Sequence, residues 1–292
     1  MALTLVLAAG GFGAGAFGAL LGLGGGVLIV PMLALGFGLP FREAVGVSLL
    51  SVIATSSASA ATYLRRGAAN LRLGLTLEIL TVIGALVGGL VAFALDERLI
   101  AAAFSLMLVY VALSMARQRT RPTAPPAPDE GVVDPEPEVE AEAGSAEDDP
   151  APSTGFAASL SHPDYEVRNL PAGLALSGLA GMVSALLGVG GGIIKVPTMH
   201  LAMGLPLRAA TATSNLTIGV TASASAALYI LRDSIDPLVA GPVLVGTFLG
   251  ATAAARLAPR VPVVVLRWVF VLVLLYVAFQ MIMRAIGPGA VT

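Results

Sequence analysis

Gly22-Leu-Gly-Gly-Gly-Val-Leu-Ile-Val-Pro31, then eight residues and Pro40, is repeated in outline as Gly188-Val-Gly-Gly-Gly-Ile-Ile-Lys-Val-Pro197, then eight residues and Pro206. The offset is 166 residues throughout and needs no gap. Between 22–66 and 188–232, 22 of 45 aligned positions are identical. Such self-similarity marks an internal duplication. The repeated text places glycine triplets inside segments apolar enough to enter a membrane. Interrupted backbone at membrane depth is tolerated only where protein buries it or a watery cavity receives it. Paired interruptions in two halves of a chain point to a binding site between them.

The rest of the chain agrees with a membrane setting. Of 292 residues, 57% are hydrophobic and 12% charged, and the mean hydropathy is +0.90. A soluble fold cannot hide that much apolar surface. The 34 glycines suit close helix–helix approach. With no cysteine, disulfides and thiol chemistry are excluded. The net charge of −2 conceals a partition: Asp129–Asp149 carries ten acids and no base. Without those ten, 16 basic side chains face 8 acids; positive-inside anchoring accounts for most of that balance, which also favours anionic solutes arriving from water.

The hydropathy pattern predicts an all-α integral membrane protein of two homologous repeats. Each repeat has about four spanning units, the first of them broken at the glycine motif. Residues 1–116 form the first repeat, 117–169 a disordered acidic, Pro-rich tether, 170–287 the second repeat and 288–292 a tail. Leu3–Leu21 reads as a retained span rather than a cleaved signal. Counting each split pair as one crossing puts both termini, the tether and nine arginines on one side. The positive-inside rule then makes both termini cytoplasmic and the halves parallel. An extra crossing within each half inverts that relation.

The glycine triplets Gly24, Gly25, Gly26 and Gly190, Gly191, Gly192 free backbone amides from helical pairing. The helices restarting at Val27 and Ile193 then present unpaired N–H groups to an anion; close helix packing is the alternative use of the same glycines. Lys195, the only lysine, stands at the position of Ile29 in the first copy. It is either a charge for the ligand, or a side chain that snorkels or pairs with a carboxylate such as Glu78. Ser48, Ser214 and Asn215 add hydrogen-bonding groups, whereas Ser57, Ser59, Ser223 and Ser225 fit packing. Arg42 and Arg208 follow the repeated proline and serve as helix-end anchors or as an anion gate. Tyr63 and Tyr229 read as interfacial belt residues. His200 and Glu78 are candidates for proton coupling, each with a structural alternative.

Enzyme motifs are missing. Gly188–Lys195 lacks phosphate-loop spacing, and Gly13-Ala-Gly15-Ala-Phe-Gly18 sits in a spanning helix rather than after a strand. No metal or cofactor motif is present, and nothing suggests nucleic acid.

Taken together, Gly-x-Gly-Gly-Gly, Val-Pro and Gly-x-Pro in each half, followed by Ala44–Ser48 and Ala210–Ser214, resemble the TauE/SafE family. The resemblance covers nearly all of the chain except the tether. It implies a permease of the prokaryotic cytoplasmic (inner) membrane that moves sulfite, sulfonates or related organosulfur anions, commonly outward. The acidic tether is longer than that pattern, and Lys195 replaces an apolar residue of the first copy. The expectation is therefore a secondary transporter for a small oxyanion working by alternating access. It has no cofactor, the bilayer as its surroundings, a proton or sodium ion as candidate coupling ion, and a homodimer as candidate assembly. A passive anion channel and a non-transporting scaffold are the rivals.

Overall fold

The computed structural model describes residues 2–21, 25–65, 69–117, 167–257 and 263–286. They are helical, with no strand among them. The first half contains α1 (Ala2–Leu21), α2 (Gly26–Pro31), α3 (Phe41–Arg65), α4 (Leu71–Ala94) and α5 (Glu97–Arg117). The second contains α6 (Leu170–Leu187), α7 (Gly192–Pro197), α8 (Leu207–Leu231), α9 (Pro237–Leu257) and α10 (Val263–Ile286). Five helical segments are long and apolar enough to cross a membrane: Leu71–Ala94, Glu97–Ala116, Leu170–Leu187, Ala209–Leu231 and Pro237–Ala254. On α4, Leu75, Ile79, Ile83, Leu86 and Leu90 are exposed along one stripe, while Leu77, Glu78, Thr81, Ala85 and Gly88 are buried. The apolar side thus faces outward and the smaller, more polar side inward, the arrangement expected when lipid is the solvent.

Pro31 and Pro197 leave the same mark in both halves. Each short helix passes into a π-helical turn directly after its proline, Met32–Gly36 and Thr198–Ala202. Proline has no N–H for the carbonyl four residues back and its ring crowds that carbonyl, so the backbone widens there. Gly38 and Gly204 then take left-handed φ values of 68° and 79°, which turn the chain toward Pro40 and Pro206 and into α3 and α8.

The split pairs do not run on through. Gly10 of α1 lies against Met32 and Ala14 against Gly25, so α2 returns antiparallel along α1. Likewise Gly173 lies against Met203, and Gly191 against Ala180 and Ser184, so α7 returns along α6. Arg168 N–H donates to the Met203 carbonyl at 3.0 Å, closing the second hairpin at its base. The reversal is made by Gly188, Gly190 and Gly191, with φ of 72°, 78° and 75°, values that an L side chain resists. Counting each split pair as one crossing is therefore corrected: each half is a returning hairpin followed by three long helices.

That correction changes the direction of everything downstream. The start of α3 lies by the end of α8, since Gly46 contacts Ser234 and Ile235. The far end of α3 leads to Asn70, whose N–H donates to Thr213 Oγ1 near the start of α8 at 2.9 Å. α3 and α8 are thus antiparallel. α4 and α6 run parallel, with Gly84 against Gly178 and Gly88 against Met182, as do α1 and α9, with Gly246 against Ala8 and Gly250 against Phe12. A Cβ on Gly84, Gly181, Gly246 or Gly250 would collide with a backbone carbonyl of the neighbouring helix. The packing partners correspond at the 166-residue offset: α1 with α9 as α6 with α4, α3 with α9 as α8 with α4, and α3 with α8, α5 with α10 across the middle. Halves related in this way run in opposite directions.

Candidate functional site

The two glycine turns meet at the middle of α3 and α8. A Cβ on Gly26 would strike the Gly188 carbonyl and lie 2.9 Å from Ser48 Oγ. A Cβ on Gly190 would lie 2.7 Å from both Val52 and Ile218, residues that are each other's counterparts at the 166-residue offset. Ser48, fully buried on α3, donates its hydroxyl to Gly188 O at 2.6 Å, with Gly26 O at 3.2 Å. One side chain therefore joins the turn of its own half to the turn of the other.

The counterpart hydroxyl behaves differently. Ser214 Oγ on α8 is fully buried and has no hydrogen-bond partner; it sits 3.5 Å from where a Cβ on Gly192 would be. Ser184 Oγ, whose Cβ faces Gly191, is also buried without a partner, as is Ser177 Oγ. Around the same turn the amides of Gly190, Gly191 and Gly192 make no hydrogen bond among the described residues. Buried donors are almost always satisfied, so a cluster of unsatisfied ones calls for a physical reason.

Lys195, one turn into α7, is 1% exposed. Its ammonium pairs with Glu78 Oε2 of α4 and donates to Thr217 Oγ1 of α8 at 3.1 Å. Glu78 Oε1 accepts from Thr221, and Thr217 has the Ser214 carbonyl at 3.3 Å. Three helices thus converge on one ion pair beside the second glycine turn. Of the two alternatives left open for Lys195, pairing with Glu78 is what this conformation contains.

A second hydroxyl of α3 reaches the backbone of α8. Ser56 of α3 donates to the Asn215 carbonyl at 2.7 Å and accepts from Gly219 N–H at 3.1 Å. Its hydroxyl stands between a donor and acceptor four residues apart, a recognised cause of helix bending. Ser56 has no hydroxyl counterpart in the second half, where Ala222 stands. The asymmetry between the turns therefore rests on Ser56, Glu78 and Lys195, whose counterparts are Ala222, Leu244 and Ile29, whereas Thr217 and Thr221 face a hydroxyl of the same kind in Ser51 and Thr55.

A family model for "Sulfite exporter TauE/SafE" matches residues 7–281. The chain belongs to that family. A Bacillus subtilis protein named "Probable membrane transporter protein YunE" is 24% identical over 290 residues, 97% of this chain and 98% of that one. A "Probable membrane transporter protein" of Xylella fastidiosa strain 9a5c is 26% identical over 286 residues, 97% of this chain and 96% of that one. No solved structure matches. Family and relatives make this TauE/SafE chain a membrane transporter.

Of the sequence-predicted residues in this TauE/SafE chain, Gly25, Gly26, Ser48, Gly190, Gly191, Gly192, Lys195, Ser214, Asn215 and Glu78 gather around the junction. Gly24 and the side chains of Arg208, Tyr63 and Ser59 lie outside the described residues, as do all but the ends of the tether. Arg42 is elsewhere: Nη2 donates to Leu95 O at 2.6 Å, the guanidinium lies 5.7 Å from the Phe93 ring centroid and Nε stands 4.0 Å from Glu97. It fastens the start of α3 to the α4–α5 turn. His200, exposed in the middle of the second π turn, has Nδ1 2.7 Å from the Leu205 carbonyl, a closure of its own loop. Tyr229 is not an interfacial residue: it is 1% exposed and donates to the Ala185 carbonyl at 2.9 Å. Ser57, Ser223 and Ser225 bond their own helix backbones. Thr217 belongs to a polar stripe visible in the sequence, Thr211–Thr217, but sequence reading passed over Ser56, Thr221, Ser177 and Ser184; hydroxyls on the inward side of α3, α6 and α8 were the available signal. A groove of about 550 Å³ lies outside the junction, between α1, α2 and α10, lined by Gly10, Met32, Tyr276 and Gln280 among others.

Proposed function

We propose that this protein is a secondary transporter for a small oxyanion, of the sulfite or organosulfonate class, moved by alternating access of its two halves and outward where the cell is the source. One observation carries the reading: the hydroxyls of Ser214 and Ser184 and the amides of Gly190–Gly192, all beside one turn, have no hydrogen-bond partner among the described residues. An oxyanion supplies several acceptor oxygens and the negative charge that such donors favour. The family's sulfite exporter description supports the sulfur-oxyanion class. In the conformation described, Gly25, Gly26 and Gly190–Gly192 are buried, as an occluded state would have them. Opening would move one hairpin with its companion helices against the other, and the matched helix partners of the two halves supply two equivalent arrangements. The duplicated origin of the halves belongs to this proposal too.

The orientation follows from the folded-back hairpins. The start of α1, the start of α3, the end of α4, the end of α8 and the end of α10 share one side. Arg42, Arg98, Arg232 and Arg284 are the arginines there. The other side receives Arg65, Arg72, Arg117, Arg168, Arg208, Arg256 and Arg267, and Arg66, Arg119, Arg121 and Arg260 adjoin the same helix ends in sequence. The positive-inside rule then keeps the tether in the cytoplasm and puts both chain ends outside, so that only the ends depart from the expectation built on one crossing per split pair.

Uptake into proteoliposomes preloaded with unlabelled anion tests the reading, using sulfite, sulfate, sulfoacetate and thiosulfate. Accelerated exchange of labelled for unlabelled anion is expected. Current without exchange would instead favour a passive channel, and neither current nor exchange would remove transport altogether.

A further inference from the structure

We infer that the buried Glu78–Lys195 pair is a proton-coupling device: an anion arriving at Lys195 displaces Glu78, and the displaced carboxylate takes up one proton that travels with the anion. The inference rests on the anion-transport reading above and adds the coupling ion to it.

The argument begins from isolation. Glu78 and Lys195 are 4% and 1% exposed; Glu78 stands two turns into α4 and its partner Thr221 near the middle of α8. The elements packed around them are α4, α6, α7 with its π turn, and α8. Their other ionisable groups are few. α6 has none; α4 has Arg72 in its first turn; α8 has Arg208 and Tyr229, near opposite ends; the π turn carries the exposed His200 at its middle. Nothing at the depth of the pair can neutralise either charge except the other. Glu78 is further held by Thr221, and Lys195 by Thr217. The pair is therefore complete only while no ligand is present.

The counting then leaves one balanced outcome. Lys195 stands one helical turn past Gly192, and its hydroxyl partner Thr217 is one turn past Ser214, so an anion held by the free donors lies within the ammonium's reach. A monovalent anion beside the ammonium makes that pair neutral. If Glu78 stayed ionised, an unpaired negative charge would remain in a site that admits none cheaply. Protonation of a Glu78 carboxylate oxygen removes it: one carboxylate and one proton become one carboxylic acid, and Lys195 keeps its own proton throughout. Release of the anion lets the ion pair re-form and expels the proton on the same side. Each monovalent anion thus moves with one proton, in the same direction and without net charge.

The experiment uses the full chain in proteoliposomes with a pH-reporting dye inside and labelled methanesulfonate as probe, an anion that brings no proton of its own at neutral pH, alongside the sulfite exchange assay. In the wild type, entry of the anion should acidify the interior, an acidic exterior should speed entry, and an imposed membrane potential should not change the initial rate. Glu78→Gln should lose the acidification that accompanies each labelled anion, and Glu78→Asp should restore it. On detergent-purified wild-type protein, infrared difference spectra should gain a carboxylic acid band when anion is added, a readout that stands even if Glu78→Gln does not fold. Anion entry without acidification, an acidification that survives Glu78→Gln, or no carboxylic acid band on anion binding would each overturn the coupling while leaving transport in place. No exchange of sulfite or methanesulfonate by the wild type would overturn the transport reading and the coupling with it.

Discussion

Ser48 and Ser214 are the same residue in the two copies of one sequence, buried to the same degree, and they should respond oppositely to loss of their hydroxyls. Ser48 donates to the Gly188 carbonyl at 2.6 Å and stands 3.2 Å from that of Gly26. Ser48→Ala strands at least one buried carbonyl, which costs about 1–3 kcal/mol, and it loosens the one side chain that joins the two glycine turns. Ser214 has no partner, so Ser214→Ala removes an unsatisfied group and leaves the unliganded protein unchanged or up to ~1 kcal/mol more stable. Its effect should fall on the anion: one hydrogen bond to a charged ligand contributes about 1.5–3 kcal/mol, a weakening of about 10- to 150-fold. Equilibrium unfolding of the two variants in the same detergent gives the first comparison, and half-saturation of anion exchange gives the second. Equal destabilisation by the two substitutions, or a Ser214→Ala protein that handles the anion as the wild type does, would refute the division of labour between them.

Three further outcomes follow from the same geometry. Lys195→Met alone strips the buried Glu78 of its counter-charge, so that burying it costs either an unpaired charge or the uptake of a proton, and it should destabilise by up to about 3–5 kcal/mol; Lys195→Met with Glu78→Gln should recover much of that in thermal unfolding, since no ionisable group is then left without its partner. Gly181→Val places side-chain atoms into the Thr81 carbonyl across the α4–α6 contact and should cost at least ~1–3 kcal/mol, visible as lower yield of monodisperse protein, whereas Gly13→Val, with open space around it, should be tolerated. A periplasm-active phosphatase fused after Thr292 should be active and a fluorescent protein fused there dark, with the reverse pattern for reporters inserted in the tether; bright fluorescence at the chain end would reject the proposed orientation.

Much of this architecture was legible before any coordinates. The 166-residue offset locates both turns, and the composition of the chain fixes its all-helical membrane class. The proline after each glycine run marks the short helix, though not that it widens into a π turn, which depends on how the backbone accommodates a missing donor. What the sequence hid was direction. A glycine run announces a break but does not say whether the chain continues or returns; that is decided by the left-handed φ of Gly188, Gly190 and Gly191. Counting crossings without it placed the tether and the chain ends together. Lys195 was visible as an anomaly, and Glu78 as a carboxylate in a span, yet their meeting depends on α4 running parallel to α6 and packing on α8. Ser56 was hidden for another reason: serine in an apolar helix most often bonds its own backbone, as Ser51 does with Val47, and only the packed neighbour shows that this one reaches across.

Ligand-dependent stability of the purified protein tests most directly whether the junction of the glycine turns receives an anion. Unfolding followed against increasing sulfite, sulfate or methanesulfonate should show saturable stabilisation by at least one of them, rising toward about 2.7 kcal/mol at a hundredfold excess over its dissociation constant, and the same titration on Ser214→Ala combined with Ser184→Ala should lose most of it. Unchanged stability at every concentration of every anion, or an equal rise in the double variant, would contradict the account.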